Sequence, residues 1–247
     1  MTRHFIIMSS SYSQGQRIAL DICGIGAADT SVLYKIIEKI KLKCGEDTSI
    51  SVHSIETSSE SWESVVREDS FFEDVFVVKS VDDFIHVIQM DRTLSGLDIA
   101  KYILSRQPCT HLKLQKLVYY CFADYLCQVG NRLFQDEIYA FSLGPVVGSV
   151  REHFKGFRYI DAENVDTIAE VSSLKMPIRS KILFADNGIT KLECIDRTIG
   201  RYGGVTAGCL VNLTHREGTP WDCSYDGSSF KIIPDEVIRE RHYLEEL

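Results

Sequence analysis

The chain has 247 residues, 45% hydrophobic and 25% charged, with Lys+Arg 27 against Asp+Glu 35 for a net charge of -8. It is too apolar for a mainly disordered chain and too acidic for a general polyanion binder, which needs clustered Lys and Arg. The longest uninterrupted apolar run, Leu117 to Ala123, stops at Asp124, far short of the ~20 residues that cross hydrocarbon. Phe5-Ile6-Ile7-Met8 is likewise too short for the core of a secretion signal. The expectation is a cytoplasmic protein with no membrane partner.

Residues 1 to 91 hold 8 Lys+Arg against 15 Asp+Glu, a net of -7, leaving 19 against 20 for the rest. Arg17 to Cys23 reads as a strand, Gly24-Ile25-Gly26 as a turn, and Leu33, Ile36, Ile37, Ile40 and Cys44 repeat at helical spacing up to Gly45. Ser49 to Ile55 alternates like a strand, Ser61 to Arg67 suits a short helix, Val75 to Val78 a strand and Val81 to Gln89 a helix. Strands separated by helices predict parallel pairing, with the helices covering the sheet. Strand, Gly-x-Gly, helix and strand also invite a nucleotide-binding reading, with Gly24 and Gly26 near a phosphate, Thr30 at the helix start and Glu56 on a ribose. Asp29 weakens it, because it stands where the fingerprint has its third glycine and would repel a pyrophosphate. A plain capped turn is the better reading.

Ten acids fall between residues 56 and 91, from Glu56 to Asp91, against only Arg67 and Lys79. The plainest interpretation is a solvated face. The sharper one is a docking surface for a basic partner, with Glu63, Glu68, Asp69, Glu73 and Asp74 as the candidate contacts. A boundary is expected near residue 91, giving a small acidic α/β domain over 1–91 and a second domain over 92–247.

Ser95 with Asp98 three residues on opens a helix that Gln107-Pro108 ends near Arg106. The strongest helical pattern follows from Thr110 to Val129, with Leu114, Leu117, Val118, Cys121, Phe122, Tyr125, Leu126 and Val129 forming a wide apolar stripe before Gly130. Lys113, Lys116, Asp124 and Gln128 fall off that stripe and are expected at the surface, the lysines either as anchors on carboxylates such as Asp98 or Asp124 or as partner contacts. Glu137 to Leu143 reads as a strand, Gly144-Pro145 as a strand-to-helix turn and Val146 to Phe154 as a helix. Lys191 to Tyr202 is helical up to Gly203-Gly204, and Thr206 caps a last helix to Leu213. His215 and Trp221 are expected to close a small core, the imidazole bonded to backbone.

The eight cysteines show no CxxC pair and no Cys/His cluster at zinc-finger spacing, so reduced structural thiols are expected, with no metal site and no cofactor. Cys109 near His111 is read the same way rather than as a nucleophile.

Lys113-Leu114-Gln115-Lys116-Leu117-Val118-Tyr119-Tyr120, Gly144-Pro145-Val146-Val147, Leu213-Thr214-His215 and Pro220-Trp221, in that order, resemble the Panacea domain of SocA-like antitoxins over about residues 93 to 225. The resemblance implies a mainly helical domain that neutralises a toxin encoded beside it by direct protein contact, in phage or mobile-element settings, or else delivers the toxin to a protease. It brings no catalytic residues, so Gly144, Pro145, His215 and Trp221 are assigned structural roles. The fold expected is α+β, a mainly helical C-terminal domain preceded by a small α/β one. The function expected is an antitoxin, not an enzyme, with a protein toxin as partner. A protease adaptor or mobile-element counter-defence binder is the alternative, and a nucleotide-binding enzyme or sensor ranks below both. No direct nucleic-acid contact is expected, since no basic recognition helix stands out.

Overall fold

A computed structural model describes residues 1–24, 30–161, 177–228 and 230–247. Among these the chain forms two compact units, Met1–Arg92 and the residues from Thr93 onward. The fold is mixed α+β, with a small sheet in the first unit and helices dominating the second.

In the first unit, β1 (Thr2–Ser11) and β2 (Gln16–Cys23) form a hairpin, followed by α1 (Thr30–Cys44), β3 (Ser51–Thr57), α2 (Trp62–Glu68), β4 (Val75–Val78) and α3 (Val81–Arg92). The strand order is β3-β1-β2-β4. Only β2 and β4 pair in parallel, while β1 pairs antiparallel with both β2 and β3. The expected parallel sheet is therefore corrected, and β1 is the reason. It enters through a turn over Tyr12–Gly15, too short for a parallel connection, and separates β2 from β3. Its residues are buried on both faces of the sheet. Ile7 joins Ile18, Leu20, Ile40, Phe84 and Ile88 under α1 and α3, whereas Ile6 and Met8 join Ala19, Val65 and Phe72 under α2. A strand covered on both sides reads as an apolar run rather than an alternation.

The same topology removes the nucleotide reading, because β2 and β3 are not neighbours and do not form the required crossover unit. Glu56 ion-pairs with Arg3 instead. Gly24 is exposed with φ +78, and Gly26 and Asp29 lie outside the described residues.

In the second unit, α4 (Gly96–Arg106) starts on the expected capping box of Ser95 and Asp98. After the two-residue strand β5 (Cys109–Thr110), the central helix α5 (His111–Val129) is capped by Thr110, whose Oγ1 accepts from Lys113 N. It ends on Gly130 at φ +82. Its burial runs all round from Leu114 to Ala123, including Gln115, Lys116, Tyr119 and Tyr120, so it is the axis of the core rather than a one-sided helix. Next come β6 (Ile138–Phe141), β7 (Gly144–Val147), α6 (Gly148–His153) and β8 (Tyr159–Ile160), which pairs with β5. They are followed by α7 (Ile178–Phe184), α8 (Gly188–Tyr202), α9 (Ala207–Thr214), α10 (Pro220–Ser224), β9 (Lys231–Ile232) and α11 (Asp235–Arg241).

Gly144-Pro145 does not begin a helix. The two residues lie in β7, paired with Phe141 and Ala140 across a hairpin whose loop is Ser142-Leu143. Strand order β7-β6-β9 leaves β7 at the sheet edge, where a residue without an N–H is tolerated.

Candidate partner surface and the motif core

Three motif residues fasten the β6–β7 hairpin to α5. Gln115, buried, accepts from Val147 N through its Oε1 at 2.9 Å. It thus supplies one bond of the kind a further strand would give this edge. Lys116 has 0% exposure, and its Nζ donates to the Pro145 carbonyl at 2.9 Å. Burial lowers its pKa to about 7, with the Glu245 carboxylate pulling the other way. Gly144 has φ +101, and a Cβ there would lie 2.5 Å from Lys116 Nζ and 2.9 Å from Thr214 Oγ1. Its missing side chain is the space that the lysine occupies.

The surface position expected for Lys116 is thus corrected. The stripe counted apolar residues only, and a long side chain can bury its stem on the helix and spend its head on a carbonyl. Lys113 is half-buried and donates to the Gly203 carbonyl at 2.6 Å, fixing the end of α8 rather than pairing with a carboxylate. Neither Asp98 nor Asp124 is its partner. Asp98 belongs to the α4 cap, and Asp124 to a network described below.

His215 and Trp221 pack against each other. Their rings stack at 3.6 Å and 1°, Trp221 stacks again on Tyr225, and the indole Nε1 donates to the Phe141 carbonyl at 2.7 Å. The expected imidazole-to-backbone bond is replaced by this stacking, and His215 Nε2 is buried without a hydrogen-bond partner among the described residues. Burial, then the Lys116 charge, lower the His215 pKa.

The chain's last helical turn, His242–Glu245, carries a network that sequence reading missed. Glu245 Oε1 accepts from Tyr119 Oη at 2.5 Å and lies 2.7 Å from His242 Nδ1. His242 Nε2 is 2.8 Å from Asp124 Oδ1, and Asp124 Oδ2 accepts from Thr198 Oγ1 at 2.6 Å. Burial pushes the His242 pKa down, but hydrogen bonds to Asp124 and Glu245 outweigh this and raise it to about 9. Burial also raises the Glu245 pKa, against the pull of His242 and Tyr119. Tyr119 and Asp124 are more than a hundred residues from Glu245 and His242 in sequence, so no local spacing brings the two pairs together. A tyrosine and an aspartate inside α5 and a His-x-x-Glu at the far end of the chain are the traces the network leaves in the sequence.

The acidic candidates of the first unit remain at the surface. Glu63, in the first turn of α2, is exposed, and hydrogen bonds from its own backbone N–H and from Ser61 lower its pKa. Glu68, Asp69, Glu73 and Asp74 are exposed in the segment that follows, around the short 3-10 turn Ser70–Phe72. Asp69 caps that turn by accepting from Phe71 N at 2.8 Å, and Asp74 holds φ +53. Phe71 is 47% exposed among them, with the Arg17 guanidinium over its ring at 4.5 Å. Asp91 does not belong to this face. It is buried and accepts from Ser11 Oγ, Tyr12 N and Ser13 N, tying α3 to the β1–β2 turn.

No helix among the described residues is long and apolar enough to cross a membrane. Residues 114–222 match the family model described as antitoxin SocA-like, Panacea domain. The chain is 28% identical over 159 residues to the antitoxin SocA of Caulobacter vibrioides (strain NA1000 / CB15N), covering 61% of this chain and 80% of that protein. No solved structure matches it. The resemblance carried by the α5 motif, the Gly144-Pro145 strand and the His215–Trp221 closure is thereby shown over residues 114–222 as a match to the Panacea domain of SocA-like antitoxins.

Proposed function

We propose that this chain is an antitoxin that neutralises a protein toxin by direct contact, without catalysis of its own. The similarity to an antitoxin over four fifths of that protein's length carries the reading. The role of the Panacea motif residues in it is architectural, since Gln115, Lys116, Gly144 and Trp221 spend their polar groups and their space inside the second unit. Partner contact belongs to exposed groups, and the acidic turn of Glu63, Glu68, Asp69, Glu73 and Asp74 around Phe71 suits a basic partner. Residues 1–91 are then a specificity module beside a domain of general construction.

Co-expression tests this. The open reading frame adjacent to this one should be toxic alone and harmless with this chain, and the two products should co-purify. If no adjacent frame is toxic and rescued, the antitoxin reading fails. Partner half-life separates sequestration, which leaves it unchanged, from delivery to a protease, which shortens it.

A further inference from the structure

The β1–β2 register sets His4 directly opposite Cys23, with Asp21 two residues back along the same strand and therefore on the same face of the sheet. One ligand atom from each residue lies within 4.8 Å of the others. His4 is fully buried, and Asp21 and Cys23 are half-buried, so the group is open to solvent on one side.

The hydrogen bonds around His4 fix which ring nitrogen carries its proton. Nε2 lies 3.0 Å from the Ser59 carbonyl, which can only accept, and 3.1 Å from Thr57 Oγ1. The Thr57 hydroxyl donates to the same Ser59 carbonyl at 2.5 Å, so it meets Nε2 with a lone pair. Both neighbours of Nε2 are acceptors, and the proton is on Nε2. Nδ1 lies 3.0 Å from Asp21 Oδ1 and 2.9 Å from Oδ2, which are also acceptors, so it either carries a second proton or meets the carboxylate with a lone pair. Without that second proton the ring nitrogen and the carboxylate are two acceptors face to face, and a metal ion in the proton's place is what holds them together.

We propose that His4 Nδ1, an Asp21 carboxylate oxygen and Cys23 Sγ form a binding site for a divalent metal ion of the zinc class. The donor set of one nitrogen, one oxygen and one sulfur suits zinc and its neighbours, not magnesium or calcium. The carbonyl behind Nε2 is the outer-shell partner that a metal-bound imidazole requires. In a tetrahedral zinc site N and O ligands stand roughly 3.3 Å apart, so Nδ1 and the Asp21 oxygen need to separate by only a few tenths of an ångström. Water would fill the fourth position. When the metal–sulfur bond forms, the Cys23 thiol releases its proton to water. The metal ties β1 to β2 at the end of the hairpin away from the turn, in the unit outside the family match. The site stands independently of the antitoxin reading.

The test uses the full chain, stripped of metal with a chelator and titrated with Co²⁺, then with Zn²⁺ in competition. The expected result is saturation at one Co²⁺ per chain with a thiolate-to-cobalt charge-transfer band that Zn²⁺ abolishes. Cys23→Ser should remove the band, Asp21→Asn should weaken binding at least ~10-fold, and Thr57→Val, which disturbs the outer shell, about 10-fold. Zn²⁺ should raise the unfolding temperature of the parent chain and not of Cys23→Ser. A chain in which the exposed Cys127, Cys209 and Cys223 are all replaced by Ser should keep the band. Absence of saturable binding, binding without the charge-transfer band, or a band that survives Cys23→Ser would each overturn the proposal and leave a proton-bridged His4–Asp21 pair.

Discussion

Charged side chains are used in opposite ways by the acidic turn of the first unit and the α5 core of the second. In the first, Glu68, Glu73 and Asp74 stand in solvent and make no ion pair among the described residues. In the second, Lys116, His242 and Glu245 are buried, and each is held by hydrogen bonds. A solvated charge contributes almost nothing to stability and much to the field a partner meets, whereas a buried one is costly unless every neighbour fits. The difference teaches where to look for each property: integrity of the fold in the α5 core, recognition in the acidic turn.

The comparison is broken most severely by removing a carboxylate from the core. Glu245→Ala deprives His242 Nδ1 and Tyr119 Oη of their acceptor, and breaking a buried ion pair from one side costs about 3–5 kcal/mol. Chemical denaturation of the second unit should report a loss of that size. An unchanged midpoint would mean that the chain's last turn is not held by this network.

A smaller loss, about 1–3 kcal/mol, is expected from Gly144→Ala. The added methyl meets Lys116 Nζ and Thr214 Oγ1, and the backbone is at φ +101. Pairing it with Lys116→Met separates the two causes. If the crowding of the ammonium dominates, the second substitution rescues much of the first. If backbone strain dominates, it rescues none.

The core pair also makes a pH prediction in which two effects oppose. His242 is raised to about 9, so its contribution is complete below the unfolded value of ~6.5 and is lost as pH rises through 9. Lys116 is lowered to about 7. Between there and its unfolded value of ~10.4 the unfolded chain holds the extra proton, so stability rises with pH. Between about pH 7 and 9 the two slopes nearly cancel. Lys116→Met should unmask a fall of about 1.4 kcal/mol per pH unit, and His242→Gln a rise of similar size. Both are readable as unfolding midpoints across that window.

Much of the second unit was legible because its elements follow local rules. The α5 stripe, its Thr110 and Gly130 ends, the Ser95–Asp98 box and the Thr206 cap are all where the spacing puts them. What escaped depends on neighbours distant in sequence. β1 has no alternation because both its faces are covered, and with it went the sheet topology of the first unit. Lys116 and Asp124 were placed outside because their polarity was read without the Pro145 carbonyl and His242 that receive them. The His4–Asp21–Cys23 group is a product of strand register, which no cysteine count reveals.

The smallest effect on stability and the largest on recognition is expected from the acidic turn. Replacing Glu68 and Glu73 by Lys and Asp74 by Asn, which tolerates the φ of +53 there, changes only exposed side chains, so the unfolding midpoints of both units should stay where they are. Association with a basic partner should slow, and its rate should lose its dependence on salt, because long-range attraction acts on the approach rather than on the close fit. Phe71→Ser, which keeps every charge, should instead speed dissociation if the exposed ring is buried in the complex. A triple variant that binds at the parental rate in low salt would make the acid of residues 56 to 74 a solubilising coat. Recognition would then have to be sought on the surface of the second unit, around exposed Leu143 and Phe230 beside the β6–β7 hairpin.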